Sequence, residues 1–369
     1  MDNISVVAEQ FRRDGRVIDI REFGNGNINS TFLVTLEAKT DTAREKHFIL
    51  QRINTLVFRQ PELVMLNMRT STEHVRHRLE LTPLCSGRRW EVPQVLLTQD
   101  GKDHWLDSEG SFWRAISFIE GSQSFDTIRD IDHATEAGYA LGMFHTLLSD
   151  LPAERLADTL PGFHITPGYL RHYDEVLAKH GKSRSAEVNY CLQFLNERSG
   201  LAHVLEDAKA QGRLLLRPVH GDPKVNNIMM DIATDQAISI VDLDTVKPGL
   251  VHYDIGDCLR SCCNTMGEET DEWEKVSFDT DLCQAILQGY LSLAREFLTG
   301  NDFYYIYDSI RLIAFELGLR FFTDYLKGDV YFKVRRPGHN LARALVQFRL
   351  TESIESQAAA IQGIIRSAR

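Results

Sequence analysis

Apolar and polar residues follow a two-residue repeat early in the chain and helical spacing later. Residues 4–13 have helical spacing, stopped at Asp14-Gly15. Residues 17–23 and 31–37 are β-rich runs on either side of the turn F-G-N-G-N-I-N-S, and Lys46–Ile53 (K-H-F-I-L-Q-R-I) reads as a third strand. Alternation places Phe48, Leu50 and Arg52 on one face of that strand and Ile49, Gln51 and Ile53 on the other, so only one of the polar pair Gln51 and Arg52 can face a cleft. Pro61–Leu81 has helical spacing, with Glu62 and Glu73 as partners for a cation on that strand, and residues 93–98 and 112–119 close the small sheet. Helices dominate afterwards: residues 132–148, where Gly138 and Gly142 permit close helix contact, residues 185–210, and the chain from about Thr280 onward, interrupted at Gly300, Gly328 and Pro337-Gly338. Nothing repeats at a fixed period.

Between these halves lies the stretch V-H-G-D-P-K-V-N-N-I-M-M-D, a short polar turn, and A-I-S-I-V-D-L-D. Two apolar runs, residues 214–219 and 237–241, deliver acidic and amide side chains at their ends, so Asp222, Asn227 and Asp242 can meet in one place. A carboxylate and an amide oxygen can share a Mg²⁺ ion while a second carboxylate, Asp222, stands free to take a proton from a hydroxyl. The plain alternative is a polar turn capping a β-hairpin. Lys224 either steadies a transferring phosphate or is a solvated loop lysine. In the turn at residues 24–30, Gly24, Asn25, Gly26 and Asn27 tolerate positive φ, and it is either an ordinary Asn-Gly hairpin turn or a loop offering backbone N–H groups to phosphate. A dinucleotide fingerprint is excluded, because the third glycine is missing and a strand follows where a helix should open.

The step from His220-Gly221-Asp222 to Asn227, followed by Val241-Asp242-Leu243-Asp244, resembles the phosphotransfer core of the aminoglycoside phosphotransferase and choline kinase superfamily. The resemblance implies a kinase-like two-lobe α/β (α+β) fold: a β-rich N lobe over 1–117, a hinge at 118–124 and a mainly helical C lobe over 125–369. It implies MgATP between the lobes, with Phe118, Ile119 and Glu120 at the adenine, the glycine-rich loop over the phosphates, Asn227 and Asp242 on Mg²⁺, and Asp222 as the catalytic base. The superfamily's strand lysine is absent, and Arg52 is expected to supply its charge, with Gln51 able only to donate hydrogen bonds. Asp254 matches a family aspartate taken as structural, and His145 resembles a family histidine read as a core hydrogen-bonder. Within the superfamily, F-E-L-G-L-R-F-F-T-D-Y-L-K-G-D-V-Y-F-K-V and P-G-H-N-L-A-R-A-L-V-Q, with F-I-L-Q-R-I-N-T and D-L-D-T-V-K-P-G-L, look like the N-acetylhexosamine 1-kinases. That likeness implies a neutral sugar acceptor contacted by Arg320 and Tyr331, whose ordinary roles are a helix-surface charge and a core aromatic. Asn27 and Ser30 depart from the histidine and aspartate of that group and leave the N-acetyl requirement open.

Composition narrows the partners. The chain of 369 residues is long enough for two lobes, and its formal net charge of −11 argues against a general nucleic-acid binder. No run is apolar enough to span a bilayer and the N-terminus lacks a signal-peptide pattern, so a cytoplasmic protein is expected. Cys85, Cys191, Cys258, Cys262, Cys263 and Cys283 form no C-x-x-C pair, as expected of reduced thiols. An acidic chain also suits a cationic acceptor such as an aminoglycoside or choline. A non-catalytic nucleotide binder is the alternative of another class.

Overall fold

The computed structural model describes residues 3–11, 15–24, 28–37, 46–84, 87–180 and 185–369. Helix α1 (Asn3–Gln10) precedes β1 (Val17–Glu22), β2 (Ser30–Leu36), β3 (Lys46–Ile53), helix α2 (Pro61–Leu81), β4 (Val95–Leu96), β5 (Trp105–Leu106) and β6 (Phe112–Ser117). These strands form an antiparallel six-stranded sheet in the order β1-β2-β3-β6-β4, with β5 also on β6. Strand alternation sorts the two faces. Phe48, Leu50, Trp113 and Ala115 pack with Val7, Ala8 and Phe11 of the α1 region on one side. Leu33, Ile49 and Ile116 face the other way, joining Met68 and Val75 of α2 in a core that continues into the helical part of the chain.

The remainder comprises β7 (Ser122–Gln123), α3 (Ile131–Leu148), α4 (Thr166–His180), α5 (Ala186–Arg198), α6 (Val204–Ala210), β8 (Arg217–Val219), β9 (Ile228–Asp231), β10 (Ala237–Ile240), β11 (Lys247–Gly249), α7 (Val251–Cys262), α8 (Thr280–Ala294), α9 (Gly300–Leu326), α10 (His339–Ser356) and α11 (Ala358–Ala368). The long helix α9 is the pillar of this lobe: a Thr299–Asp302 capping box starts it, and Ile306, Ile310, Ala314, Phe315, Leu319 and Phe322 are buried along it. No helix among the described residues is long and apolar enough to cross a membrane. Cys191, Cys258, Cys262, Cys263 and Cys283 are free and buried.

The architecture agrees with the expected β-rich and helical halves, with local corrections. Only Val95 and Leu96 of the 93–98 run pair as strand, and β5 was not anticipated. Residues 185–210 break at a 3₁₀ turn, Ser199–His203, and α4 was not foreseen. The runs 214–219 and 237–241 do not pair with each other: β10 pairs with β9, and β8 pairs with β11, which includes Pro248 and Gly249.

Helices α3 and α8 approach so closely that side chains cannot fit between them. A Cβ on Gly138 would lie 1.9 Å from the Ile286 carbonyl oxygen, and one on Gly289 would lie 2.0 Å from that of Thr135. Gly138→Ala must therefore part the helices, and is expected to lower unfolding stability by about 1–3 kcal/mol. Gly168→Ala, whose methyl would meet nothing nearer than 3.9 Å, should be neutral or slightly stabilising. Urea denaturation of both variants checks this, and equal midpoints would contradict a tight α3–α8 contact.

Candidate active site

The central loop is hung from one buried carboxylate. Asp254, in the first turn of α7, is fully buried and accepts the backbone N–H of His220 at 2.6 Å and of Gly221 at 2.8 Å. His145 of α3 donates from Nε2 to the same carboxylate at 2.8 Å, with its Nδ1 3.0 Å from the Tyr290 hydroxyl. Burial alone would raise the Asp254 pKa, but these donors outweigh it and hold the carboxyl below its usual range. Asp254 and His145 thus occupy the structural places expected of them.

Two further contacts fix the loop's course. Gly221 has φ 86°, and a Cβ there would meet the Thr245 carbonyl oxygen at 2.9 Å, so no other residue fits easily. The His220 Nε2–H donates to the Val241 carbonyl at 2.9 Å while its Nδ1 accepts from the Asp222 N–H at 3.3 Å, an arrangement that suits the neutral ring. Desolvation lowers the His220 pKa, which favours the neutral ring.

Asp222, Asn227 and Asp242 converge as the sequence implies. The Asn227 side-chain Nδ2 donates to the Asp222 carbonyl at 2.8 Å, and the Asn227 carbonyl accepts from the Val241 N–H at 2.8 Å, setting Asn227 beside Asp242 at the mouth of the β9–β10 hairpin. Asp242 itself adopts a left-handed conformation, φ 65° and ψ 55°, a strained geometry for a non-glycine residue. Its side chain reaches the solvent of the cleft, yet the crowded walls desolvate it and Asp244 and Asp222 repel its charge, pushing its carboxyl up to about 7. Lys224 and Arg114 lower it without offsetting burial and the two carboxylates, and a bound divalent cation would add the missing positive charge. Among the described residues no three His, Cys, Asp or Glu side chains form a metal cage, whereas Mg²⁺ in a phosphotransferase commonly takes one or two protein ligands and completes its shell with phosphate and water. Asp242 and the Asn227 amide fit that donor set.

Lys224 is half-buried and ion-paired to the Asp222 carboxylate at 2.8 Å, so it is not a solvated loop lysine. That carboxylate is the main reason its pKa is raised.

Arg52 does not face the cleft. It is exposed on the α1 face of β3, 3.4 Å from the Ser30 hydroxyl and over the Trp113 ring at 5.9 Å, because alternation turns it away when Gln51 turns inward. The cation that does face inward is Arg114 of β6, directly across from Gln51 and almost wholly buried. Its Nε and Nη2 donate to Gln51 Oε1 at 3.0 and 2.6 Å, and Nη2 also pairs with Asp244. The Asn29 Nδ2 donates to Asp244 at 2.5 Å, tying the end of the glycine-rich loop into the same network. Neither Glu62 nor Glu73 reaches it: both are exposed, and Glu73 pairs with Arg69 on its own helix. Instead the Asn67 Nδ2 anchors α2 to the Ala157 and Val246 carbonyls.

Gly24 has φ 75°, while Asn25, Gly26 and Asn27 lie outside the described residues. At the expected hinge, Phe118 meets Phe23 edge-on at 5.8 Å, and Ile119 is buried. The Glu120 side chain pairs with His47 at 2.8 Å and its carbonyl accepts from Arg89 at 2.6 Å.

Behind Asp222 lies a second buried group. His164 holds its ring 2.9 Å from both Glu316 Oε1 and the Gly221 carbonyl; both partners are acceptors, so both ring nitrogens must donate. Burial would lower its pKa, but Glu316 outweighs this and the net shift is upward, while the Glu316 carboxyl is held down mainly by His164. One turn along α9, the Arg320 guanidinium sits over Phe163, Tyr169 and Phe332 at 5.3, 5.0 and 5.5 Å. Asp222 and Tyr331 both act on its charge, and Tyr331 is exposed rather than in the core. His164, Glu316 and Arg114 escaped the sequence reading. The only signal was a charged residue in an otherwise apolar run, as in F-W-R-A-I-S and I-A-F-E-L-G.

A β-rich lobe and a helical lobe, with an H-G-D loop hung between them, define a kinase-like phosphotransferase. The family model described as phosphotransferase enzyme family (APH) matches residues 19–294, and the chain belongs to that family. Solved structures share the fold at low identity. An aminoglycoside phosphotransferase from Alicyclobacillus acidocaldarius is 14% identical with a TM-score of 0.62, covering 99% of this chain and 94% of its own. A microcompartment-associated aminopropanol kinase is 15% identical with a TM-score of 0.61 over 97% of this chain and 98% of its own. A choline kinase from Cryptosporidium parvum is 12% identical with a TM-score of 0.57 over 94% and 91%.

The protonated His164–Glu316 pair sets a pH dependence. The part of stability from raised His164 is fully present below its unfolded pKa of 6.5 and lost as pH rises through the folded value; that from lowered Glu316 is present above 4.5 and lost in acid. Glu316→Gln is expected to cost about 3 kcal/mol, most between pH 4.5 and 6.5, with the difference from wild type narrowing at higher pH. Denaturation at pH 5.5 and 8.5 measures it, and a difference that does not change with pH would contradict a charged His164.

Proposed function

We propose that this protein is an ATP-dependent sugar kinase that phosphorylates the anomeric hydroxyl of an N-acetylhexosamine or related hexose, giving a sugar 1-phosphate and ADP. The observation that carries the sugar acceptor is Arg320. Phe163, Tyr169 and Phe332 form the kind of aromatic enclosure that can hold an ammonium group, but the chain's own guanidinium occupies it. A cationic aminoglycoside or choline would be repelled there. A neutral hydroxylated acceptor can instead take hydrogen bonds from Arg320 and Tyr331.

In this reading residues 1–117 form the nucleotide-phosphate lobe, 118–124 the hinge at adenine, and 125–369 the lobe carrying the loop and acceptor site. Asp222 orients the acceptor hydroxyl and takes its proton as that oxygen bonds to the γ-phosphorus and the bond to the β-phosphate oxygen breaks, releasing ADP. Lys224, already within 2.8 Å of Asp222, swings its charge between the carboxylate and the transferring phosphoryl group. Asn227 and Asp242 hold Mg²⁺, which supplies charge neutralisation on the phosphates. The hung loop keeps these groups in line before substrate arrives, so catalysis is mostly positioning. A nucleotide binder without turnover has no use for a base aimed at an acceptor.

Coupled ADP-release assays against neutral hexoses, N-acetylhexosamines, aminoglycosides and choline, with the product examined by phosphorus NMR, test this reading. A sugar 1-phosphate is expected. A product phosphorylated at a primary hydroxyl, or turnover of amines alone, would contradict it. Arg320→Ala should raise the KM for sugar by about tenfold and leave that for ATP unchanged; an equal rise in both would place Arg320 outside the acceptor site.

A further inference from the structure

Arg114 is a buried charge with one side still unclaimed. It lies on the cleft face of β6, 1% exposed, with Nε and Nη2 committed to Gln51 and Nη2 also to Asp244. Its Nη1 is buried and finds no hydrogen-bond partner among the described residues. An unsatisfied guanidinium nitrogen at such a depth is costly unless something else completes its shell. What surrounds it narrows that something. The network joins Asn29, at the end of the glycine-rich loop, to Asp244, two residues beyond Asp242, so Arg114 lies between the loop expected to cover phosphates and the pair expected to hold their metal. The strand that would carry a phosphate-facing lysine has Gln51 there, and Gln51 spends its carbonyl oxygen on Arg114 and its amide on the Thr31 hydroxyl, 3.1 Å away.

We propose that Arg114 is the nucleotide-phosphate cation of this enzyme: its Nη1 grips a phosphate oxygen of the bound nucleoside diphosphate or triphosphate, and Gln51 and Asp244 hold the guanidinium plane in place for it. This rests on the phosphotransferase reading above and names the residue that supplies the charge. The position differs by one strand from that of the usual lysine, and the change of residue type follows from it. Gln51 and Arg114 are directly opposed across β3 and β6, so a cation reaching inward from β6 must extend past the β3 side chain. An arginine has the length, and its fork can serve Asp244 and a phosphate at once where an ammonium would be a single point of charge. Asp244 is then a counter-ion that keeps the guanidinium paired between turnovers, and Asn29 holds Asp244 from the other side.

The test compares ADP with adenosine, both without metal, by calorimetry on the full chain, so that only the phosphates differ. Arg114→Met should weaken ADP by about tenfold to a hundredfold and leave adenosine within about twofold, and Arg114→Lys should fall between. The double variant Arg114→Met with Gln51→Lys, which restores a cation from the neighbouring strand, should recover ADP affinity, and Arg52→Ala should leave both ligands unchanged. If Arg114→Met does not fold, the Arg114→Lys ratio of ADP to adenosine affinity decides: a fall supports the assignment. An unchanged ratio in folded Arg114 variants, or an equal loss of ADP and adenosine, overturns it and leaves the phosphotransferase reading standing. A wild-type protein that binds adenosine but gains nothing from the phosphates overturns both.

Discussion

The Asp254 carboxylate is the constraint on which the site depends. Two consecutive backbone N–H groups, those of His220 and Gly221, point at it, and each such bond to a buried charge contributes about 1.5–3 kcal/mol. Consecutive N–H groups can converge on one acceptor only if the chain turns sharply, which is why Gly221 has positive φ and lies against Thr245. The same carboxylate takes His145 from α3, so the loop, α7 and α3 are joined at a buried point. His164 holds the Gly221 carbonyl from the other side and ties it to α9 through Glu316. The loop is therefore braced at both its N–H and C=O groups before Asp222 begins.

Electrostatics then follow from how the lobes share charge. Three aspartates, at 222, 242 and 244, lie close enough to perturb one another, and each has a different relation to a cation. Asp222 has Lys224, Asp244 has Arg114, and Asp242 has neither as a direct ion-pair partner. The unmatched member is also the one held in a left-handed backbone conformation, at the end of a strand whose partner delivers Asn227. Strain and unbalanced charge at one residue are the marks of a ligand position. Around Arg320 the arrangement is the opposite, since the chain's own guanidinium fills an enclosure of Phe163, Tyr169 and Phe332.

Much of this was readable in the chain. Strand β3 and helix α2 appear in the sequence as periodic runs with clear stops, and the structure keeps their bounds at Lys46–Ile53 and Pro61–Leu81. The step from Asp222 to Asn227 and on to Asp242 also survives, because short-range turns and one hairpin determine it. The alternation of β3 even showed that Gln51 and Arg52 must face opposite ways, but not which face was the cleft. That depended on where α1 packs, a long-range fact. Arg114 and Glu316 were hidden for the same reason: a charged residue inside an apolar run has no local explanation, and its partner is Asp244 or His164, far away in the sequence. The pairing of β8 with β11 was likewise invisible, since neighbouring apolar runs suggest a simple hairpin and only the packing of the loop beneath α7 separates them.

In the proposed function Asp222 is the proton acceptor, and nucleotide binding does not depend on it. The direct measurement is Asp222→Asn, which keeps the shape and hydrogen-bonding capacity of the side chain and removes its charge. MgATP binding by calorimetry should survive, and phosphoryl transfer to the best sugar, under saturating and chemistry-limited conditions, should fall by about 10²–10⁴-fold. Transfer at the wild-type rate in that variant would contradict the mechanism.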